Sequence, residues 1–591
     1  MAVQLFLDEK EVIIDDAQEI RITKENPYFT LSDSYTLDVA IPLDIVQNRN
    51  VFGSIQRKNV SKSYREFTSR LMCNNSVIME GTAHIVQSTE QQVKVQIASG
   101  VSALKMSSEQ EGLYIDRIVN EKEGYNLLVH SFGSYNSMDY GNIVGDNHLG
   151  YGVIMLDSTN DAVVNLGASD ILIGRGFPYI SDCPRLIDIA SLVASKIGYT
   201  LDISYLPEAC RCIYIVTSVQ GNLKKKLPHW TVKEFFTEFQ NFFGCTFTKT
   251  GNKSLKLVPI SAFANNPTIE IEPIEEFQVD YSEEDEAEGV MNKNVEFDMD
   301  SGGLDIIDDE ILDQAQSTVR YPNAGAMENA FRSDNQETRM HKIYEVNGEK
   351  YVGWNTGEDQ YELRRIAPFN PLKRYADADS VKLKISPALM EEDVECTIEY
   401  VYDFWAGGMD TLKFSVHMPS VENPFGLSNF FSPSTDENET PTLQELVEGT
   451  KSIIDESDKS DKMRVVFVDG KEETIEAVNE SGSRTVTFPI HLSFTDYGYK
   501  QQLTNNRKKW SFSLNELSGY EFYLGQLHKK SFFCSHKVKH MFRFLSDSIP
   551  DPTSIFVVQG KHFACEKIEA SIKDGELERL MTGYFWELFE S

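Results

Sequence analysis

Near the C-terminus, His528, Cys534, His536, His540, His562 and Cys565 gather the side chains best suited to binding a metal. Imidazole and thiolate are the donors of zinc centres, but such centres take their ligands in closely spaced pairs, and the segment CSHKVKH from Cys534 offers no pairs at that spacing. The spacing favours alternating residues of β-strands. A calcium loop is the second candidate. In DMDSGGLDIIDD, Asp298, Asp300 and Asp309 occupy positions one, three and twelve of an EF-hand frame, while position five is Gly302 and no glutamate closes the loop.

Other catalytic spacings are missing: there is no GxSxG elbow, no HExxH helix and no GxxxxGK[ST] phosphate loop. Gly150-Tyr151-Gly152 and Gly174-Arg175-Gly176 lack the third glycine and the following helix that a dinucleotide needs, and read as turns. His130-Ser131 sets a base beside a hydroxyl, and 91 acidic residues always contain a pair that a glycosidase would accept, so neither singles out a site. No catalytic, cofactor-binding or metal-binding residue is assigned, and no cofactor is expected.

The elements that would position any such site are mostly strands. VQLFL from Val3, EVII from Glu11 and EIRIT from Glu19 are short strand signals, followed by an alternation in which Tyr35, Leu37, Val39 and Ile41 share one face. Strands through Phe67–Met72 and Val77–Val86 flank an Asn74-Asn75 turn, and Val93, Val95 and Ile97 mark another, a spacing that predicts a small antiparallel barrel or sandwich. Two helices follow. The first starts near Pro184, carries Leu186, Ile189, Ala190, Val193 and Ile197 at core spacing, and stops at Gly198 before YTLDI. The second opens with a Thr231/Glu234 capping box and a Trp230/Phe235 staple, then sets Phe236, Phe239, Phe242 and Phe243 in a core stripe ending at Gly244. Strands CTFTKT and SLKLVPI come next, around Gly251-Asn252, so the order helix, glycine, strand occurs twice.

Between Glu270 and Asp313 there are eighteen acidic residues against one basic residue, Lys293, which reads as a solvated loop or linker. β-type alternation returns in SVKLKIS and VECTIEYVYDF, with a Gly407-Gly408 turn. A polar stretch from Asn423 to Pro441 precedes a short helix in LQELVEGTKSIID. The end reads as a three-strand meander, SIFVV, KHFACEKIEASI and LERLMTGYFWELF, closed by Gln559-Gly560 and Asp574-Gly575 turns.

At 591 residues and 41% hydrophobic content the chain is long enough for several cores. Four spans are expected: an N-terminal β-barrel at 1–105, a mixed α+β domain at 106–265, an acidic loop- and linker-rich segment at 266–345, and a C-terminal β-rich region at 346–591. The fold class is mainly β with α+β parts, antiparallel barrels or sandwiches plus helix–strand units. Asp8 and Glu9 interrupt the opening apolar residues and no run reaches membrane-helix length, so a soluble chain without a leader or membrane anchor is expected. Eight scattered cysteines fit thiols in a reducing compartment. A formal charge of −35 opposes nucleic-acid binding, which depends on cations neutralising phosphates. The same charge suits a conduit along which DNA slides without sticking, and equally the plain solubility of an acidic protein.

The segment NPYFTLSDSYTLDVAIPLDIVQNRNVFG, with GTAHIVQSTEQQVKVQIASG after it, resembles the N-terminal domain of baseplate-hub or tail-associated proteins of tailed bacteriophages and prophages. FVVQGKHFACEKIEASIKDGELERLMTGYFWEL looks like the terminal meander of the same group, and the helix–glycine–strand units are similar to its α/β part. Together these cover roughly the first 105 residues, residues 180–260 and the last 40. The resemblance implies a non-enzymatic structural subunit of the virion tail tip, present in the host cytoplasm during assembly. It implies a homotrimer whose barrels form a pseudo-sixfold ring and part of the DNA-ejection conduit, with tail tube, distal tail protein, tape-measure protein and spike or fibre proteins as partners. Two alternatives stay open: a tail-associated cell-wall or polysaccharide hydrolase, and a receptor-binding adhesin using aromatics such as Trp405 and Trp510.

Overall fold

The computed structural model describes residues 3–15, 17–30, 32–60, 66–104, 112–119, 171–172, 184–216, 227–251, 253–274, 278–281, 294–297, 317–346, 349–357, 360–365, 380–388, 390–403, 408–419, 462–479, 482–492, 510–514, 516, 519–529 and 532–590. The sequence places apolar residues at period two in short runs, and these runs become strands β1 (Gln4–Leu7), β2 (Lys10–Val12), β3 (Ile20–Glu25), β4 (Tyr35–Thr36) and β5 (Val39–Pro42). After helix α1 (Val46–Val51) come β6 (Glu66–Cys73), β7 (Ser76–Ser88) and β8 (Gln92–Ala98). Asn74 and Asn75 are both left-handed, the geometry that a two-residue hairpin turn requires and that asparagine tolerates.

One sequence expectation fails within this group. Tyr35, Leu37, Val39 and Ile41 do not share a face: Val39 and Ile41 are buried, Leu37 is exposed, and Thr36 is buried instead. Tyr35 stands opposite Ala98 but Val39 stands opposite Val95, so one extra residue lies between β4 and β5, and inside-outside parity flips across it. The Thr36 hydroxyl accepts from the Ile97 amide, which satisfies the polar group that the flip turns inward.

The expected barrel is a curled sheet in which, among the described residues, no continuous ladder closes. Its strands run β2-β1-β6-β7-β8, with β5 also on β8, and the two ends meet through one side chain. The buried Asn48 amide on α1 accepts from the Ile13 backbone N–H at 2.9 Å and donates to the carbonyls of Ile13 and Pro42, each at 2.8 Å. It takes the place of a neighbouring strand for the continuation of β2 and reaches the last residue of β5. The three- and four-residue lengths of β2 and β5 leave this gap for a side chain to fill.

Helices α2 (Ile115–Ile118) and α3 (Leu186–Lys196) lead to strand β9 (Thr200–Asp202), and helix α4 (Val232–Phe243) leads to β10 (Cys245–Gly251) and β11 (Ser254–Pro259). The cap, stripe and stop expected of α4 are present, but among the described residues the reciprocal half of the capping box is not, because the Glu234 carboxylate accepts from Lys384 Nζ at 2.7 Å instead. The Thr231 hydroxyl accepts from the Glu234 amide, Gly244 ends the helix at φ 55°, and Trp230, Phe235, Phe236, Phe239, Phe242 and Phe243 are buried in one core. The strands of the two helix–glycine–strand units form one sheet in the order β9-β11-β10.

Within the acidic span, strands β12 (Thr268–Glu270), β13 (Gln278–Tyr281) and β14 (Asn294–Phe297) stand where loop was expected. Beyond them, β15 (Ser317–Tyr321), helices α5 (Ala324–Ser333) and α6 (Gln336–His341), and β16 (Lys342–Val346), β17 (Glu349–Gly357) and β18 (Gln360–Arg365) make a four-stranded sheet with the helices on its Tyr344 face. Next come β19 (Ser380–Leu383), β20 (Ile385–Pro387), β21 (Met390–Asp403), β22 (Gly408–Pro419), β23 (Met463–Asn479) and β24 (Gly482–Leu492). Strands β20 to β24 belong to a further, mostly antiparallel sheet. The helix expected in LQELVEGTKSIID and the loop from Asn423 to Pro441 lie outside the described residues.

The meander is present as expected: β25 (Phe532–Leu545) precedes β26 (Ile555–Val558), β27 (Lys561–Lys573) and β28 (Leu580–Glu590), with β27 between the other two of the meander. Gln559-Gly560 and Asp574-Gly575 take up left-handed backbone at both turns. These strands join the N-terminal ones. β3 pairs with β27 from Ile20 opposite Ile572 to Glu25 opposite Lys567, so both chain ends lie in one 15-stranded sheet. Leu5, Ile22, Val39 and Val95 share a core with Phe542, Phe563, Ile568 and Phe585. The sheet is therefore mainly antiparallel, and no helix among the described residues is long and apolar enough to cross a membrane.

Replacing Asn48 by alanine leaves the part-buried Ile13 N–H and the Ile13 and Pro42 carbonyls without their side-chain partner and should cost about 2–4 kcal/mol, below the sum for three fully buried orphans at roughly 1–3 kcal/mol each because water reaches Ile13. Gln47→Ala, which removes an exposed bond to the Glu11 carbonyl, should stay within about 0.5 kcal/mol. Thermal unfolding followed by circular dichroism compares the two, and equal midpoints would show that Asn48 does not join the strand ends.

Candidate functional site

The C-terminal histidines and cysteines are distributed along strands. Cys534, His536 and His540 lie on β25, and His562 and Cys565 on β27. Cys534 and Cys565 are buried, His540 packs edge-on against Phe563 at 5.2 Å, and His528 Nε2 lies 3.0 Å from the Phe242 carbonyl. Among the described residues no three His, Cys, Asp or Glu side chains converge on a metal position. Asp298, Asp300, Gly302 and Asp309 lie outside the described residues, as do His130-Ser131, Trp405 and both glycine pairs. Trp510 is buried, with its ring 5.9 Å from that of Phe467, so it cannot serve as an exposed sugar platform.

The buried thiols are poor nucleophiles. Burial pushes Cys210, Cys245 and Cys565 above the ordinary thiol value, and only the thiolate attacks or binds metal. Burial likewise lifts the nearby Tyr205 hydroxyl to about 12.

Two polar constellations are formed by residues that no spacing in the sequence connects. In the first, Asp116 in α2 holds His229 Nδ1 with both carboxylate oxygens at 3.1 Å, Tyr114 stacks on the imidazole at 4.0 Å, and Arg117 lies over Tyr114 at 5.3 Å. Backbone bonds from Ile115 N–H to the Trp230 carbonyl and from Val232 N–H to the Leu113 carbonyl flank the pair. A carboxylate that orients an imidazole is two thirds of a hydrolytic triad. Among the described residues, however, Asp116 is the only side chain hydrogen-bonded to His229, and the geometry is that of a brace holding α2 to the start of α4.

The second lies where β25, β28 and β27 run side by side. The ladder slips between Cys565 and Lys567, and the bulged Glu566 receives the Trp586 indole N–H at 2.9 Å and pairs with Lys539 at 3.0 Å. Its backbone carbonyl accepts from the Asn26 amide, and the Asn26 side chain donates to the Cys565 and Pro552 carbonyls. These polar groups tie the turn after β3 to the C-terminal strands.

The remaining candidate surface is the sheet boundary. Residues 268–274 and 278–281 border the C-terminal strands on both sides: β12 lies parallel to β26, Ile271 N–H donates to the Val557 carbonyl, Ile274 N–H donates to the Arg543 carbonyl, and β13 lies antiparallel to β25. Ile271 is buried in the shared core with Ile269 packed against it, Val279 is half-buried, and Glu270, Glu272 and Asp280 are exposed. The described part of the acidic run before Tyr281 thus borders the sheet with Glu270, Glu272 and Asp280 outward.

No protein-family model matches this chain, and no curated protein matches it. Among solved structures, the 43 kDa tail protein of prophage MuSo2 from Shewanella oneidensis is similar at 7% identity and a TM-score of 0.29, with 99% of this chain and 97% of that chain covered. The tail protein from Neisseria meningitidis MC58 is similar at 8% identity and a TM-score of 0.31, with 99% and 96% covered. Scores at this level establish neither family nor function for this chain.

In native protein at neutral pH, an aromatic disulfide reagent should leave Cys210, Cys245 and Cys565 unlabelled, and should label all three once the chain is unfolded. Peptide mass mapping reads the outcome. Labelling of any of the three within minutes would place a reactive thiolate where burial excludes one.

Proposed function

We propose that this chain is a non-enzymatic structural subunit of a bacteriophage tail tip, a hub joining the tail tube and distal tail protein to a spike or fibres. The observation that carries this reading is the union of the chain ends. The two segments that resemble hub proteins stand at opposite ends of the sequence, yet they pair through β3 and β27 and share one core. A resemblance split between remote segments is what a single interleaved unit would leave in a sequence. The placement of the candidate histidines, thiols and Trp510 in strands and core supports an architectural use of these residues.

In this reading the molecule is a homotrimer, because closed symmetry lets a sheet-rich subunit bury its exposed borders against copies of itself without open-ended growth. Size-exclusion chromatography with light scattering should give about three times the 67.1 kDa chain mass. A strict monomer at micromolar concentration, together with virions lacking density for it at the tail tip, would remove the hub reading.

The acidic border fits the same role. With Glu270, Glu272 and Asp280 facing the lumen, like charge keeps the phosphate backbone from adhering as DNA leaves. Replacing these three by glutamine and asparagine should slow ejection at low salt, with the defect shrinking as salt screens the field. An unchanged ejection rate in low salt would put the border on the outer surface.

A further inference from the structure

At the junction between the N-terminal strands and the helix-bearing unit, one carboxylate serves two bases. Glu66 on β6 stands directly opposite His84 on β7, with its Oε1 3.9 Å from His84 Nδ1. Its Oε2 accepts from Lys253 Nζ at 2.9 Å. Lys253 comes from the tip of the β10–β11 hairpin, where its backbone is left-handed at φ 54°. There its carbonyl accepts the Thr200 amide that begins β9, and its ammonium lies 5.6 Å from the centre of the Tyr199 ring. The His84 side chain has no exposure, against 22% for Glu66 and 32% for Lys253.

We propose that protonation of His84 releases Lys253 from Glu66, making this junction an acid-sensitive latch between the N-terminal sheet and the hairpin of the helix-bearing unit. A proton on the imidazole creates a buried cation that draws the shared carboxylate toward itself and repels the neighbouring ammonium. The Glu66–Lys253 contact loses on both counts. Among the described residues, the charged groups that act on His84 include Glu66 from β6 and Lys253 from the hairpin; from β8 the residue opposite is the neutral Gln96. Burial opposes the charged imidazole most strongly, Glu66 favours it and Lys253 opposes it, which leaves His84 below its ordinary value of 6.5. A group depressed in the folded state contributes stability that is complete above its unfolded value and is lost as pH falls through its folded value. The latch therefore holds at neutral pH and opens as the pH falls below the ordinary imidazole range, through the lower value that burial imposes on His84.

Hydrogen–deuterium exchange of the full chain, corrected for intrinsic rates, tests this at pH 7.5 and 5.5 on peptides covering Thr200–Asp202 and Ser254–Pro259. Native protein should exchange about threefold to fivefold faster there at the lower pH, the scale of one partly exposed ion pair. His84→Gln, which cannot take up the proton, should abolish the difference. Lys253→Gln should exchange fast at both pH values, and it keeps the test decisive if the buried His84 position does not tolerate glutamine. A pH response that survives in either variant, or native protein whose hairpin peptides exchange equally at both pH values, would overturn the latch.

Discussion

The ladder between β3 and β27 is the constraint on which the rest of the architecture rests. Six consecutive residues from each strand pair across it, and the inward ones, Ile20, Ile22, Ile568, Ala570 and Ile572, are buried. Each fully buried isoleucine contributes about 1.5–3 kcal/mol, so the seam is held by side-chain burial as well as by backbone hydrogen bonds. Its topological effect is larger. Neither the N-terminal nor the C-terminal strands own a complete core, and each group supplies the apolar surface that the other needs. Everything between them is suspended from a joint that forms only when the two ends of the chain meet, a non-local closure that folds slowly because its loop entropy is lost before its contacts form.

Once the ends are fused, the sheet must dispose of its edges, and it does so by two different means. At the N-terminal end the Asn48 amide stands in for a strand, occupying the hydrogen-bonding groups of Ile13 that would otherwise template another chain. Around the C-terminal strands β12 and β13 lie along the two sides, and Glu270, Glu272 and Asp280 are exposed there. Charge on a border strand discourages unprogrammed pairing: β12 and β13 take their ladder bonds from β26 and β25, and those three carboxylates stand where water can reach them.

Local features were legible in the sequence and long-range ones were not. The turns at Asn74-Asn75, Gln559-Gly560 and Asp574-Gly575, the Thr231 cap and the Gly244 stop depend on backbone preferences within a few residues, and each stands where its residue types place it. The parity of Tyr35 to Ile41 was misread because an extra residue against β8 is invisible until β8 is known to be the partner. The strands at Thr268–Glu270 and Gln278–Tyr281 were not legible for a related reason: net charge describes what a segment does alone, and these two are ordered by neighbours more than 250 residues away. The Asp116–His229 pair and the Glu566 bulge leave no mark in any window of sequence, since their partners meet only through the fold. Composition-based candidates such as the histidine and cysteine group mark strand alternation, the reading their spacing favoured.

The joint between the two cores combines unlike contacts. After β3 the chain drives Tyr28 and Phe29 into the helix-bearing core, where Phe263 packs edge-on against both rings, and the Thr246 hydroxyl donates to the Pro27 carbonyl at 2.6 Å. Farther out, Lys249 donates to the Glu80 carbonyl and Lys253 pairs with Glu66, both at exposed or half-buried positions. Apolar burial at the centre is worth several times a solvent-exposed ion pair, so the lysine contacts are the part of the joint that opens at least cost. Losing them leaves the Phe29 anchor in place and the cores attached. A joint built this way yields at its rim before it separates at its centre.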